Sequence, residues 1–183
     1  MNKKDTVVFD LDGTLLDTLE DLKNSVNYAM TQCGYPEHTL DEVRRYVGNG
    51  ILLLMQRAIP GGKDDPNFDK AFTLFKEHYG KHCNDTTKPY AGIMELLHTL
   101  KENNIKIAIV SNKADFAVKE LNAIYFKDLI LVAIGEKESE GIRKKPAPDT
   151  VIEALKQLGS TAENSVYIGD SDVDIETARN SGM

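Results

Sequence analysis

Val7-Val8-Phe9-Asp10-Leu11-Asp12-Gly13-Thr14-Leu15 decides the fold, because a short apolar run ends there on two carboxylates separated by one residue. A run without polar alternation reads as a strand buried on both faces, the kind found in parallel sheets. In open α/β sheets the carboxyl ends of such strands are where ligands bind. The strand therefore presents Asp10 at a binding edge, and Gly13 lets the chain leave through a conformation that a Cβ would resist. Taken alone, the Asp-x-Asp pair also fits a solvated turn. A calcium loop is excluded by spacing, since the glycine stands fourth in Asp10-Leu11-Asp12-Gly13 and that loop needs it sixth.

The pair gains meaning from three later segments. Ile105-Lys106-Ile107-Ala108-Ile109-Val110 reads as a second strand that stops at Ser111-Asn112. Lys144-Lys145-Pro146-Ala147-Pro148-Asp149 places a cation just before two prolines, which forbid an immediate helix and hold a defined turn. Ser165-Val166-Tyr167-Ile168 then runs into Gly169-Asp170-Ser171-Asp172-Val173-Asp174. Each part has an ordinary reading: Ser111 and Asn112 as turn formers, Lys144 and Lys145 as a solvated pair, Asp172 as a helix-starting residue. Together, in this order, they supply what phosphoryl transfer through an aspartyl phosphate needs, a nucleophilic carboxylate beside a second one that handles the proton.

These four segments resemble the haloacid dehalogenase (HAD) superfamily, in its branch of phosphoglycolate phosphatase-like hydrolases with a helical cap. The resemblance covers nearly the whole chain. It implies Asp10 as nucleophile and Asp12 as the acid that protonates the leaving oxygen and then the base that activates water. Ser111 and Lys145 complete the catalytic set, with Asn112, Gly13 and Thr14 beside them at the phosphate. The implied cofactor is Mg2+, held by Asp10, the Asp12 carbonyl and Asp170, with Asp174 supporting that site or Lys145. A phosphate monoester carries close to two negative charges, so a carboxylate approaches it only when cations screen the repulsion. Magnesium takes oxygen ligands and keeps several waters, which suits such a ligand set. Asp12 favours phosphate ester or anhydride chemistry, because members that cleave carbon–halogen or carbon–phosphorus bonds lack an aspartate there. The expected reaction is hydrolysis of a small phosphorylated metabolite, with 2-phosphoglycolate first. A phosphomutase, a pyrophosphatase and a silent phosphate-binding domain are the alternatives; Leu22 stands where β-phosphoglucomutases carry a cap histidine.

The chain has 183 residues with 22 Lys and Arg against 29 Asp and Glu, a formal net charge of −7. That balance argues against a broad nucleic-acid or membrane footprint. No stretch approaches the ~20 apolar residues of a spanning helix, and Met1-Asn2-Lys3-Lys4-Asp5 enters the first strand without a signal-peptide core. A cytoplasmic protein, monomer or homodimer, is expected. Cys33 and Cys83 are too few for a disulfide framework and read as free thiols. His78 and His82, one helical turn apart before Cys83, read as a solvated helix end in preference to a metal clasp.

After Leu15-Leu16 the periodicity becomes helical, with Leu19, Leu22, Val26 and Met30 on one face and Thr18 and Asp21 as a capping pair. Thr39 with Glu42 opens a second helix, Ile51 to Ile59 forms a third, and Phe68, Phe72, Phe75 and Tyr79 line a fourth. From Tyr90 onward helices and strands alternate, including a strand over Leu129–Ile134 and a charged loop from Gly135 to Lys144. The expected architecture is α/β: a Rossmann-like parallel sheet core (1–15 and 88–183) with a small all-helical cap (16–87) inserted after the first strand. Tethered at the mouth of the catalytic strand, such a cap would act as a lid and read the substrate. Gly48-Asn49-Gly50 resembles the cap loop that faces the site in this family, and Arg44 and Arg45 could grip a substrate carboxylate or simply be solvated. The resemblance also implies a further strand and helix beyond Gly182-Met183, without which a sheet edge and a helix face would lack cover.

Overall fold

The computed structural model describes residues 4–183. In chain order its elements are β1 (Thr6–Phe9), β2 (Leu16–Asp17), α1 (Leu19–Gln32), α2 (Leu40–Tyr46), α3 (Ile51–Ala58), α4 (Phe68–His82), β3 (Lys88–Pro89), α5 (Ile93–Glu102), β4 (Lys106–Ala114), α6 (Asp115–Tyr125), β5 (Val132–Glu136), α7 (Asp149–Leu158), β6 (Ser165–Ile168) and α8 (Asp172–Asn180). They form two units, one from the chain up to Leu16 together with Pro89–Met183, the other from Asp17–Lys88. Leu16 falls with the first because its buried side chain packs among Phe9, Leu11, Leu15 and Leu97.

In the first unit four strands lie in the order β5-β4-β1-β6, with β1 parallel to both β4 and β6 and β4 parallel to β5. Successive side chains of a strand point to opposite faces, and here both faces are covered. Phe9, Ile107 and Ile109 pack with Leu97, Val118, Leu121 and Phe126 of α5, α6 and the turn after α6, whereas Val8, Ala108, Val110 and Ile134 pack with Val151, Ala154 and Leu155 of α7. This explains the unbroken apolar runs. The register aligns Phe9 with Ile109 and Ile168, so Asp10, Val110 and Gly169 follow at one carboxyl edge. β6 forms an edge of the sheet, with Val166 and Ile168 exposed.

Two strand boundaries differ from the sequence expectation. β4 continues through Ser111 and Asn112 to Ala114, because its ladder with β5 slips: Val110 faces Ile134 but Ala114 faces Glu136, giving β4 two extra residues. β5 begins at Val132 and not at Leu129, since the N–H groups of Leu129 and Ile130 are used to close the end of α6 on the Phe126 carbonyl, at 2.8 and 2.9 Å. Gly135 and Glu136, expected in a loop, complete the strand.

The second unit is a helical bundle whose core joins Leu22, Val26 and Met30 of α1, Val43 of α2, Leu54 and Met55 of α3, and Phe68, Phe75 and Tyr79 of α4. The Thr39–Glu42 capping box forms as the spacing predicts, each side chain bonding the other's backbone N–H. Arg44 pairs with Asp41 on the exposed side of α2 at 2.7 Å. The His78 and His82 rings stack at 4.3 Å, and their Nδ1 atoms lie 3.0 Å from Ser25 Oγ and 2.8 Å from Asp85 Oδ2. No helix among the described residues is long and apolar enough to cross a membrane.

The expected Thr18–Asp21 capping pair does not form, for Thr18 makes no side-chain cap hydrogen bond. Asp21 is engaged elsewhere. Its carboxylate accepts the N–H and hydroxyl of Thr86 at 3.0 and 2.6 Å and those of Thr87 at 2.9 and 2.8 Å, which ties the start of the unit to its end. Burial alone would raise its pKa, but these donors outweigh burial and hold the carboxyl below its usual range. Asp21→Ala leaves those donors without their acceptor and lowers the unfolding free energy by about 3 kcal/mol at neutral pH. Because the folded pKa lies below the unfolded value of about 3.9, this contribution is complete above it and fades as pH falls through the folded value. Urea titrations of both proteins at pH 7 and near pH 2.5 check this: the gap narrows in acid, and a gap of equal size at both would remove the ionised carboxylate as its source.

Candidate active site

Asp10 emerges directly from β1, 8% exposed, with its N–H donated to the Ile168 carbonyl at 2.9 Å. The next residues fold back at once. The Leu11 carbonyl accepts the N–H groups of Leu15 and Leu16, both at 3.0 Å, and Gly13 donates to the Leu16 carbonyl at 2.9 Å. Gly13 has φ +85°, and a Cβ there would lie 2.5 Å from Asp170 Oδ2. The glycine thus serves both the turn and the close approach of the Asp170 loop. Thr14 donates its hydroxyl to Asp170 Oδ1 at 3.1 Å.

Lys145 closes the site from below the turn at Pro146. Its side chain is 3% exposed, and its ammonium lies 2.8 Å from Asp10 Oδ1, 2.7 Å from Asp174 Oδ1 and 3.0 Å from the Tyr167 hydroxyl. Burial disfavours an ammonium, yet the fields of Asp10, Tyr167 and Asp174 prevail and raise its pKa, so it stays charged. Asp10 is pushed upward by burial, with Lys145 pulling the other way and Asp174 adding to the rise. Asp174 is also penalised by burial, but Lys145 and Ser171 more than compensate and hold it low. Ser171 and Asp174 form the capping box that starts α8, and Asp172, exposed, is merely the first residue of that helix. Gly169 makes this packing feasible, because a Cβ on it would lie 2.3 Å from Asp174 Cγ.

Asp12 is held separately. Lys113, 3% exposed at its side chain, sets its Nζ 3.0 and 3.3 Å from the two Asp12 carboxylate oxygens. Ser111 is buried at 4% exposure, and its Oγ accepts the Lys113 N–H at 3.3 Å. Asn112 donates from Nδ2 to the Lys145 carbonyl at 3.1 Å, joining the β4 end to the lysine turn.

The structure therefore brings Asp10, Asp12, Ser111, Asn112, Lys145, Asp170 and Asp174 to one edge of the sheet. Gly13 and Thr14 lie in the turn beside them, with their N–H groups on the Leu16 and Leu11 carbonyls and the Thr14 hydroxyl on Asp170. Carboxylate oxygens of Asp10, Asp170 and Asp174 lie within 4.8 Å of one another. An all-oxygen donor set suits a hard divalent cation. Lys113, Tyr167, Ser171 and Gly169 escaped the sequence reading as site residues. Only Ser171 had a local signal, its spacing of three from Asp174.

Comparison with known proteins bears on this arrangement. The family model described as haloacid dehalogenase-like hydrolase matches residues 7–183. A phosphoglycolate phosphatase of Aquifex aeolicus is 33% identical over 180 residues, covering 96% of this chain and 80% of the relative. The Pseudomonas putida phosphoglycolate phosphatase is 31% identical over 183 residues, 97% of this chain but 66% of that protein. Among solved structures, a proposed phosphoglycolate phosphatase from Lactobacillus delbrueckii subsp. bulgaricus aligns with TM-score 0.93 at 36% identity, over 99% of this chain and 84% of its own. Since the match begins in β1, runs through the helical insert and the lysine turn, and includes the carboxylates after β6, this chain belongs to the haloacid dehalogenase-like hydrolase family.

Proposed function

We propose that this chain is a magnesium-dependent phosphatase that hydrolyses a small phosphorylated metabolite, foremost 2-phosphoglycolate, through an aspartyl phosphate on Asp10. The observation that carries the reading is the pair of carboxylates two residues apart, each gripped by its own buried ammonium, Asp10 by Lys145 and Asp12 by Lys113. The names of the relatives from Aquifex aeolicus and Pseudomonas putida favour phosphoglycolate as the substrate.

In the first step an Asp10 oxygen forms a bond to phosphorus while the ester oxygen departs, taking its proton from Asp12. In the second, Asp12 takes a proton from the water that attacks the same phosphorus, the bond to Asp10 breaks, and inorganic phosphate leaves. Lys145, charged and buried beside Asp10, would place its positive charge next to the phosphoryl group as Asp10 receives it. Ser111 Oγ accepts the Lys113 N–H, and its hydroxyl would donate to a phosphoryl oxygen, with Asn112 next to it. The carboxylates of Asp10 and Asp170 and the Asp12 carbonyl would hold magnesium, with Asp174 anchoring Lys145 behind them. When bound, the cation supplies the positive charge that lets a phosphate dianion approach a carboxylate.

Two outcomes follow. Phosphate release from a panel of monoesters requires magnesium, is stopped by chelation, and falls at least about a thousandfold in Asp10→Asn; release that survives that substitution would remove Asp10 as nucleophile. In Gly169→Ala, the new Cβ meets Asp174 Cγ at 2.3 Å and pushes that carboxylate off Lys145. Thermal unfolding should show a loss of about 1–3 kcal/mol, as overpacking does, with a parallel drop in turnover of about tenfold or more. Unchanged turnover would mean that the Asp174–Lys145 contact is dispensable.

A further inference from the structure

Lys113 has a buried cation's cost and no role in the spacing pattern that marks the other site residues. It is 3% exposed at its side chain, and its ammonium spans both Asp12 oxygens at 3.0 and 3.3 Å across 101 residues of chain. From the geometry we infer that Lys113 is the positioning residue for Asp12, fixing the plane of the carboxyl that exchanges a proton with the leaving group; this rests on the phosphatase reading above.

The backbone is built to deliver it. Between Val110 and Ala114, β4 carries two residues more than the facing segment of β5, so Ser111, Asn112 and Lys113 sit in an irregular stretch with all three side chains buried. β5 accommodates the irregularity through Gly135. A Cβ there would lie 2.6 Å from the Lys113 carbonyl and 2.4 Å from Asp115 Cα, so any side chain would force the stretch away. The Gly135 N–H donates to Asp115 Oδ1 at 2.9 Å, which pins β5 to the first residue of α6, just beyond the end of β4. The Lys113 N–H is itself held by Ser111 Oγ at 3.3 Å. Lys113 is thus fixed at its backbone and at its ammonium.

The chemistry explains why a carboxyl here needs such a partner. A general acid acts only when the oxygen bearing the proton lies within hydrogen-bond reach of the departing oxygen. Asp12 sits in an isolated bridge with Leu16 and its side chain is 27% exposed, and the Lys113 ammonium is the charged partner that holds its carboxylate. The ammonium reaches both oxygens and so sets the carboxyl plane; the oxygen at 3.3 Å, the more loosely held of the two, is the one that carries the proton in the first step. In the second step the same contact holds the carboxylate against the incoming water. Lys145 cannot provide this, since its ammonium is committed to Asp10, Asp174 and Tyr167.

The test compares leaving groups, because departure of a nitrophenolate needs little protonation and departure of an alkoxide needs much. The value of kcat/KM reports events through the first phosphorus–oxygen cleavage, where Asp12 acts as acid. The native chain, Lys113→Met, Lys113→Gln and Lys113→Arg are assayed with magnesium on p-nitrophenyl phosphate and on 2-phosphoglycolate, and thermal unfolding checks that each variant is folded. Lys113→Met is expected to lose at least about tenfold more kcat/KM on the alkyl ester than on the aryl ester, and Lys113→Arg to recover most of that difference. Should Lys113→Met not fold, Lys113→Gln carries the comparison. Equal losses on both esters, or no loss, would overturn the assignment, the former by making Lys113 a phosphoryl-binding or purely structural cation. If the native chain releases phosphate from neither ester, the phosphatase reading and this inference fall together; release by the native chain with equal losses removes the inference alone.

Discussion

The buried ammonium of Lys145, between Asp10 and Asp174, is the contact on which the rest of the active edge depends. Burying three charged groups is expensive, and such clusters seldom stabilise a fold more than apolar packing would. This one persists because nearly every bond it requires is met. Tyr167 gives the ammonium a third partner, and the second Asp174 oxygen is satisfied by the Ser171 hydroxyl and N–H at 2.6 and 3.1 Å. The same two residues start α8, so the helix cap and the ion cluster are one structure. Charge placement here serves function, with the fold organised to tolerate it.

Glycine placement shows how tight that organisation is. Three segments meet at the carboxyl edge, and at each meeting point one chain passes where a Cβ would collide: Gly13 against Asp170, Gly135 against Lys113 and Asp115, Gly169 against Asp174. Only Gly13 also needs its positive φ. The others are glycine for space alone, which is why neither looks special in the sequence. The sheet register brings the three points level, through the alignment of Phe9 with Ile109 and Ile168.

What could be read from the sequence was what local pattern encodes. The β1 run, the lysine before two prolines, and the carboxylates after β6 all carry their meaning within a few residues, and the helical spacing of Leu22, Val26 and Met30 or of Phe68, Phe75 and Tyr79 announces a buried face. What could not be read was pairing across the chain. Nothing in the local sequence marks Lys113 as the partner of Asp12, 101 residues away, and Asp21 looked like a cap until Thr86 and Thr87 reached it from 65 and 66 residues away. Likewise the β4–β5 slip has no mark in either strand, because a bulge is a property of the pair. Local propensity also misplaced the start of β5: Leu129 and Ile130 are good strand formers, but closing α6 claims their N–H groups first.

The separate lysines also answer a problem that two neighbouring carboxylates create. In the proposed reaction Asp10 must attack as a carboxylate while Asp12 gives up a proton, and in the next step Asp12 must take one back. Each of the two must therefore be held in its own way. Asp10 and Asp12 contact different lysines. Asp10 is buried and tied to Lys145, whereas Asp12 stays partly exposed and tied to Lys113, so the two environments differ although the residues are two apart. Unlike environments around like side chains are how one site keeps an acid and a nucleophile distinct. The turn at Gly13 makes that possible, since it carries the chain away from the strand directly after Asp12 and lets the two carboxylates be served from different lysine-bearing segments.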